Sequence, residues 1–242
     1  MNPTVFETQH YIVPSITDDS GLLGFQKCFG LFMDVAAIHA EALGVGLDAL
    51  LGRGQFWITT KTMIRFTERP RMMDRVTLRT WPEQPAKIRG NRSYQILRGD
   101  RVLVAGKTEW AVMNLRTKQL VTMDEVYPAG LDFPAGSACP EAFARIPEGF
   151  DDAAPIAAYT VRATDIDMAG HMNNVAYLRA LLGCFSGEEQ RAMHIGKMEV
   201  IFRSPCYEGE KLSLQRRETD AGTDFRFAKD DRTTALLVRV TC

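Results

Sequence analysis

The chain has 242 residues, with 29 basic and 30 acidic side chains, a formal net charge of -1, 45% hydrophobic residues and 24% charged ones. This ordinary globular composition leaves room for one large or two small cores and gives no overall electrostatic pull toward nucleic acid or an anionic bilayer. Cys28, Cys139, Cys184, Cys206 and Cys242 lack CxxC or Cys/His ligand spacing, so they read as reduced thiols rather than as a disulfide frame or a zinc site.

No run approaches the roughly 18 apolar residues that a membrane span needs. The N-terminal MNPTVFETQHY has no basic stretch followed by an apolar one, which places the protein in the cytoplasm.

Over residues 22–51 apolar side chains recur at helical spacing, with Phe25, Cys28, Phe29, Phe32, Met33, Ala36 and Ala40 on one stripe and Gly44 and Gly46 closing it. From 56 to 121 the pattern becomes alternation rich in β-branched and aromatic residues, in runs at 56–66, 75–81, 89–97 and 102–113 with a short piece near Leu120. Turns at 69–70, 82–85, 98–100 and 114–117 make this an antiparallel sheet. Pro and Gly then crowd residues 127–155 too densely for helix or strand, predicting a linker across the surface, outside both cores. Beyond it come an extended run at 157–161, a helix over 173–185 and strands at 197–203, 211–217, 224–228 and 235–241.

The second half repeats the first. Asp18-Asp19-Ser20-Gly21-Leu22 lies over Asp167-Met168-Ala169-Gly170-His171, each just ahead of a helix. Further on, Ile64-Arg65-Phe66 with Asp74-Arg75-Val76-Thr77-Leu78 lies over Val200-Ile201-Phe202 with Glu210-Lys211-Leu212-Ser213-Leu214. Two gap-free matches in the same order predict a duplicated α+β unit. Because Leu22 stands where the second copy has His171, chemistry is expected in the C-terminal copy.

There an acid and an imidazole lie four residues apart across a glycine turn before a helix N-terminus, whose free N–H groups suit a developing oxyanion. His171 can move a proton near neutral pH, while Asp167 can orient it or activate water. Each residue also has a plainer reading. His171 could be a turn residue, Asp167 and Asn173 helix caps, and Cys206 a small buried hydrophobe. Asp165 reads as a solvated strand-end charge, and His39 and Asp34 as helix-face or interface residues. Lys61, Arg65, Arg69, Arg71, Lys87, Arg89 and Arg92 cluster on the first sheet, either as a solvated outer face or as a patch that steers an acidic partner.

The stretch DMAGHMNNVAYL resembles the D-x-x-G-H-x-N-N-x-x-Y motif of hot-dog thioesterases. HAEALGVG, FWITTKTMIRF, TWPE and the Glu109-Trp110-Ala111-Val112-Met113 strand end resemble the acyl-carrier-protein (ACP) thioesterases of bacteria and plants. The likeness runs from about Tyr11 to Leu214. It implies an α+β, tandem (double) hot-dog fold, each unit a long helix wrapped by an antiparallel sheet: residues 1–131 binding the acyl chain, 132–154 linking, and 155–242 catalysing. It further implies hydrolysis of acyl-ACP in fatty acid synthesis, with Asp167, His171 and Cys206 as catalytic candidates and Asn173 for oxyanion geometry or substrate positioning. ACP is the implied partner, with no metal or cofactor, no nucleic acid and no membrane span; a homodimer is left open.

Two positions depart from the family pattern: Ala169 stands where an Asn is usual, and the Glu position falls on Pro205, leaving Cys206 beside it. An acyl-CoA thioesterase and a non-catalytic acyl-binding protein are the competing functions. The HxNN turn argues against the dehydratases that share the fold.

Overall fold

A stripe of aromatic residues on a helix needs a pleated apolar face to cover it, and each half of the chain supplies one. The computed structural model describes residues 4–150 and 153–242. The chain divides into two units, Met1–Glu141 and Ala142–Cys242.

The first unit contains β1 (Phe6–Tyr11), a 3-10 turn (Pro14–Ile16), α1 (Phe25–Ala42), α2 (Leu47–Leu51), β2 (Gln55–Phe66), β3 (Arg75–Pro82), β4 (Gly90–Arg98), β5 (Arg101–Asn114), β6 (Leu120–Val121) and α3 (Met123–Val126). Its strands pair antiparallel in the order β1-β3-β4-β5-β2, with β6 on β5. Most of the α1 stripe is buried: Phe25, Cys28, Phe29, Phe32, Ala36 and Ala40 all face inward. Phe32 stacks on Tyr94 of β4 with ring centroids 4.7 Å apart, and Phe25 meets Phe66 of β2 edge-on at 4.9 Å. Fully burying such side chains stabilises the unit by about 1.5–3 kcal/mol each. The approach is close enough to require a glycine on β5, since a Cβ on Gly106 would lie 2.4 Å from the Phe32 ring.

The second unit contains β7 (Pro155–Thr160), a 3-10 turn (Ala163–Asp165), α4 (Asn174–Leu182), α5 (Gly187–Ala192), β8 (Lys197–Phe202), β9 (Lys211–Thr219), β10 (Gly222–Lys229) and β11 (Thr234–Thr241). Its strands pair antiparallel in the order β8-β11-β10-β9-β7. Tyr177 of α4 lies edge-on to Phe202, and Phe185 after the helix meets Phe225 of β10. Each unit is thus the predicted hot-dog arrangement, a helix packed on an antiparallel sheet. The first helix runs 18 residues and the second 9.

Two expectations need correction. The edge strand β1 leaves no apolar alternation in the sequence, because Glu7, Thr8, Gln9 and His10 of FETQHY are all polar and the strand half-covers only one side. The Pro/Gly-rich segment does not lie outside both cores. Ile146 and Phe150 pack with Ile201 and Leu237 in the core of the second unit, and Cys139 is buried in the first. The Arg217 guanidinium stacks 4.4 Å above the Phe150 ring and donates to the Gly149 carbonyl. Proline and glycine forbid regular backbone there, but they do not keep apolar side chains between them out of a core.

Candidate active site

The duplication seen in the sequence extends to individual hydrogen bonds. In the first copy Asp18 N–H donates to Leu22 O (2.8 Å) and Gly21 N–H to Asp18 O (3.0 Å). In the second, Asp167 N–H donates to His171 O (3.0 Å) and Gly170 N–H to Asp167 O (3.0 Å). The two turn glycines have φ of 71° and 79°, the left-handed conformation that a side chain disfavours. After each turn the chain is tied to the loop before the third strand of its unit: Leu23 N–H donates to Pro70 O (2.8 Å) and Met172 N–H to Cys206 O (2.7 Å). Position by position, therefore, Ser20 matches Ala169, Leu22 matches His171, Arg69 matches Pro205 and Pro70 matches Cys206.

Within this shared backbone the two aspartates have different surroundings. Asp18 Oδ1 accepts from Ser20 N–H (3.0 Å), Ser20 Oγ (2.5 Å) and Leu22 N–H (3.3 Å), while Oδ2 is ion-paired with the Arg69 guanidinium. Burial pushes the Asp18 carboxyl up, but the hydrogen bonds from Ser20 and Arg69, with the Arg69 charge, outweigh it and hold the group below the usual aspartate range. In the second copy Ala169 offers no hydroxyl and Pro205 no guanidinium. Asp167 Oδ1 accepts from Ala169 N–H (2.9 Å), and among the described residues no donor reaches Oδ2.

His171 is half-buried, with Nδ1 lying 3.4 Å from the Met172 carbonyl. A proton on Nδ1 would donate to that oxygen and leave Nε2 as the acceptor. The turn brings the imidazole and the Asp167 carboxylate onto one loop with no hydrogen bond between them among the described residues.

Asn173 caps α4, its Oδ1 accepting from Val175 N–H (2.8 Å), and its own N–H donates to Asp165 O (2.8 Å). Its side-chain NH2 remains as the donor. Ala176 and Tyr177 N–H both donate to Asn173 O, so Asn174 carries the first-turn amide with no acceptor along the helix.

Cys206 joins the site through its carbonyl, while its side chain is buried. Burial pushes the thiol above its ordinary value despite the Tyr177 hydroxyl and Lys229 nearby. A protonated, enclosed sulfur is a poor nucleophile. Cys206→Ala is expected to keep turnover within about threefold while lowering stability by about 1–2 kcal/mol, as assay and thermal melt of the same preparation would show.

Asp165 is not the solvated charge that the sequence suggests. Its side chain is buried, with Oδ2 accepting from Tyr159 Oη (2.7 Å) and Arg162 N–H (2.8 Å) and Oδ1 paired with Arg179 of α4. Burial raises its carboxyl, but the hydrogen bonds from Arg162, Tyr159 and Arg179 dominate and hold it below the ordinary value. A depressed carboxyl contributes stability above its unfolded pKa and loses it as pH falls through the folded one. Arg179→Met should therefore cost about 1 kcal/mol or less at neutral pH, because the guanidinium is half-exposed. The difference from wild type should fade below about pH 4, as thermal melts across pH would test.

The basic residues of the first sheet do not form one open patch. Lys61 and Arg89 both reach Glu109 (3.4 and 2.8 Å), Arg65 pairs with Glu141, and Arg69 pairs with Asp18. Arg92 is buried, its Nη1 lying 2.9 Å from His39 Nδ1; Arg71 and Lys87 remain exposed. His39 is likewise a core residue, stacked on Phe6 at 5.5 Å rather than displayed on a helix face. Among the described residues no three His, Cys, Asp or Glu side chains are grouped to hold a metal ion, and no helix is long and apolar enough to cross a membrane.

Comparison with known proteins bears on the family and the fold. The acyl-ACP thioesterase N-terminal domain matches residues 3–130, and the acyl-ACP thioesterase C-terminal domain matches residues 150–237. An oleoyl-acyl carrier protein thioesterase of Coriandrum sativum is 24% identical over 216 residues, covering 80% of this chain and 57% of that protein. The acyl-[acyl-carrier-protein] hydrolase FATB3 of Cuphea viscosissima is 22% identical over 194 residues, covering 75% and 47%. The chain thus spans about half the length of the curated relatives it matches. In fold it is similar to an acyl-ACP thioesterase from Bacteroides thetaiotaomicron, with a TM-score of 0.81, 20% identity, and 98% of this chain and 97% of that one covered. It is also similar to the 12:0-ACP thioesterase from Umbellularia californica, with a TM-score of 0.83, 16% identity, and 99% and 97% coverage. With both halves matched in order by the two domains of one family, the chain belongs to the acyl-ACP thioesterase family.

Proposed function

We propose that this protein hydrolyses acyl-ACP, releasing a free fatty acid and the ACP thiol, in the cytoplasm as part of fatty acid synthesis. The observation that carries the reading is the contrast between two turns of one backbone. The first has its carboxylate tied up by Ser20 and Arg69 and a leucine at position 22, whereas the second has an open carboxylate oxygen and an imidazole at position 171.

In this mechanism water attacks the thioester carbonyl. Asp167 Oδ2 or His171 Nε2 takes its proton, and the C–S bond breaks as the thiol leaves with a proton. A thiolate is a good leaving group, so little acid assistance is needed. The oxyanion faces the start of α4, where the Asn174 N–H and the Asn173 side-chain NH2 are the available donors and the helix dipole adds positive potential. Cys206 contributes its carbonyl to the turn and no nucleophile. The apolar helix-sheet interior of the first unit would receive the acyl chain.

The deciding experiment compares one acyl chain on ACP and on CoA over a range of salt concentrations. Acyl-ACP should turn over faster, with the gap narrowing as salt screens the carrier's charge. Equal rates at low salt would assign the chemistry to CoA esters, and a bound acyl ligand with no product would leave an acyl-binding protein.

A further inference from the structure

The turn carrying Asp167 and His171 is held at its base by two straps rather than one. Asp165 stands at its entrance and Asn173 at its exit. The first strap is main chain: Asn173 N–H donates to Asp165 O (2.8 Å). The second is made of side chains, with the Asp165 carboxylate paired to Arg179, six residues beyond Asn173 on the same helix. On its other oxygen the carboxylate receives the Arg162 N–H and the Tyr159 hydroxyl, which fix it to the 3-10 turn and to β7.

Among the described residues the first copy has the main-chain strap alone, Gly24 N–H to Ile16 O (3.0 Å). Where the second copy has Asp165, Tyr159 and Arg179, the first has Ile16, His10 and Gly30. The fold is built there without the buried carboxylate, so the fold does not require it. It appears in the copy whose turn bears the imidazole.

We propose that Asp165 is a positioning residue for the hydrolysis: by tying the entrance of the turn to α4 through Arg179, it fixes Asp167 and His171 relative to the oxyanion donors at the helix start. This rests on the active-site reading above. A displacement of about 1 Å at a reacting group can cost about 100-fold in rate. A buried charge-assisted hydrogen-bond set of this kind is the sort of support that keeps a functional group in place.

The test is a double-mutant cycle on the full chain, assayed with acyl-ACP. Asp165→Asn keeps the volume and loses the charge; it should lower kcat about tenfold with KM within about twofold, while the far-UV spectrum and cooperative melting are retained. In a background lacking both groups, Asp167→Ala with His171→Ala, the same change should alter the residual rate by less than about twofold, because neither group is left to position. Arg179→Met and Tyr159→Phe each remove one partner from the network, at a half-exposed and a partly exposed side chain. They should lower kcat about threefold, and they supply the answer should Asp165→Asn fail to fold.

Unchanged kcat in folded variants would overturn the proposal while leaving the active-site reading intact. An equal drop in both backgrounds would make Asp165 merely structural. Full turnover by His171→Ala would remove the active-site reading and this inference with it.

Discussion

His171→Ala and Asp167→Ala should each lower kcat for acyl-ACP by about 100- to 10,000-fold, the range expected when a positioned acid-base group is lost. Both proteins should remain folded. The first copy makes the same turn with Leu22 in place of the imidazole, held by the same two main-chain hydrogen bonds. The His171 ring lies 3.4 Å from the Met172 carbonyl and takes no part in the turn's main-chain hydrogen bonds, so its removal leaves the backbone pairing in place. Asp167→Ala removes one hydrogen bond, from Ala169 N–H, at a net cost of about 1 kcal/mol. Steady-state kinetics with thermal melts on the same preparations would separate the two effects. Normal turnover in both variants would place the chemistry elsewhere. Loss in Cys206→Ala with retention in His171→Ala would make the site a thiol-centred one.

Features governed by local backbone geometry were legible in the sequence. The turn at Asp167 was visible because its glycine, its length and its place before a helix recur at Asp18, and the structure shows the two with matching hydrogen bonds. The α1 stripe and the alternating strands were visible because burial at period 3.6 or 2 leaves a trace in composition. What depends on partners distant in sequence was not visible. Asp165 is buried because Tyr159 and Arg179 converge on it, the latter 14 residues away, and no spacing rule joins the three. His39 and Arg92, 53 residues apart, read from sequence as a helix-face or interface histidine and as part of a basic cluster, although the fold places them against each other. Phe150 and Ile146 were lost among the prolines for the opposite reason, since a strong backbone signal hid an ordinary apolar one. The open carboxylate of Asp167 could be recognised only by comparing two structures of one repeat, because its cause lies in Ala169 and Pro205 together.

Pro205→Arg should lower kcat about 100-fold, at the low end of what loss of a positioned acid-base group costs. In the first copy Arg69 occupies the matching position and ion-pairs with Asp18, also donating to Leu23 O at 3.2 Å. The matching acceptors in the second copy are Asp167 and the Met172 carbonyl, which lies beside His171 Nδ1. A guanidinium there would hold the carboxylate charged and hydrogen-bonded, so it could neither take a proton from water nor face the substrate. It would also compete with the imidazole for the Met172 oxygen. The backbone should accept the change, because Thr67 and Glu68 N–H donate to Leu103 O just as Arg203 and Ser204 N–H donate to Ala235 O, the same loop in both copies. Adding Ala169→Ser would complete around Asp167 the donor set that Ser20 and Arg69 form around Asp18, and should deepen the loss. Arg69→Met in the first copy is the control. It unties Asp18 and should reduce stability by about 1–3 kcal/mol at neutral pH while leaving kcat unchanged. If Pro205→Arg folded and kept wild-type turnover, Asp167 would not need an open carboxylate oxygen, and the contrast between the two turns would lose its bearing on function.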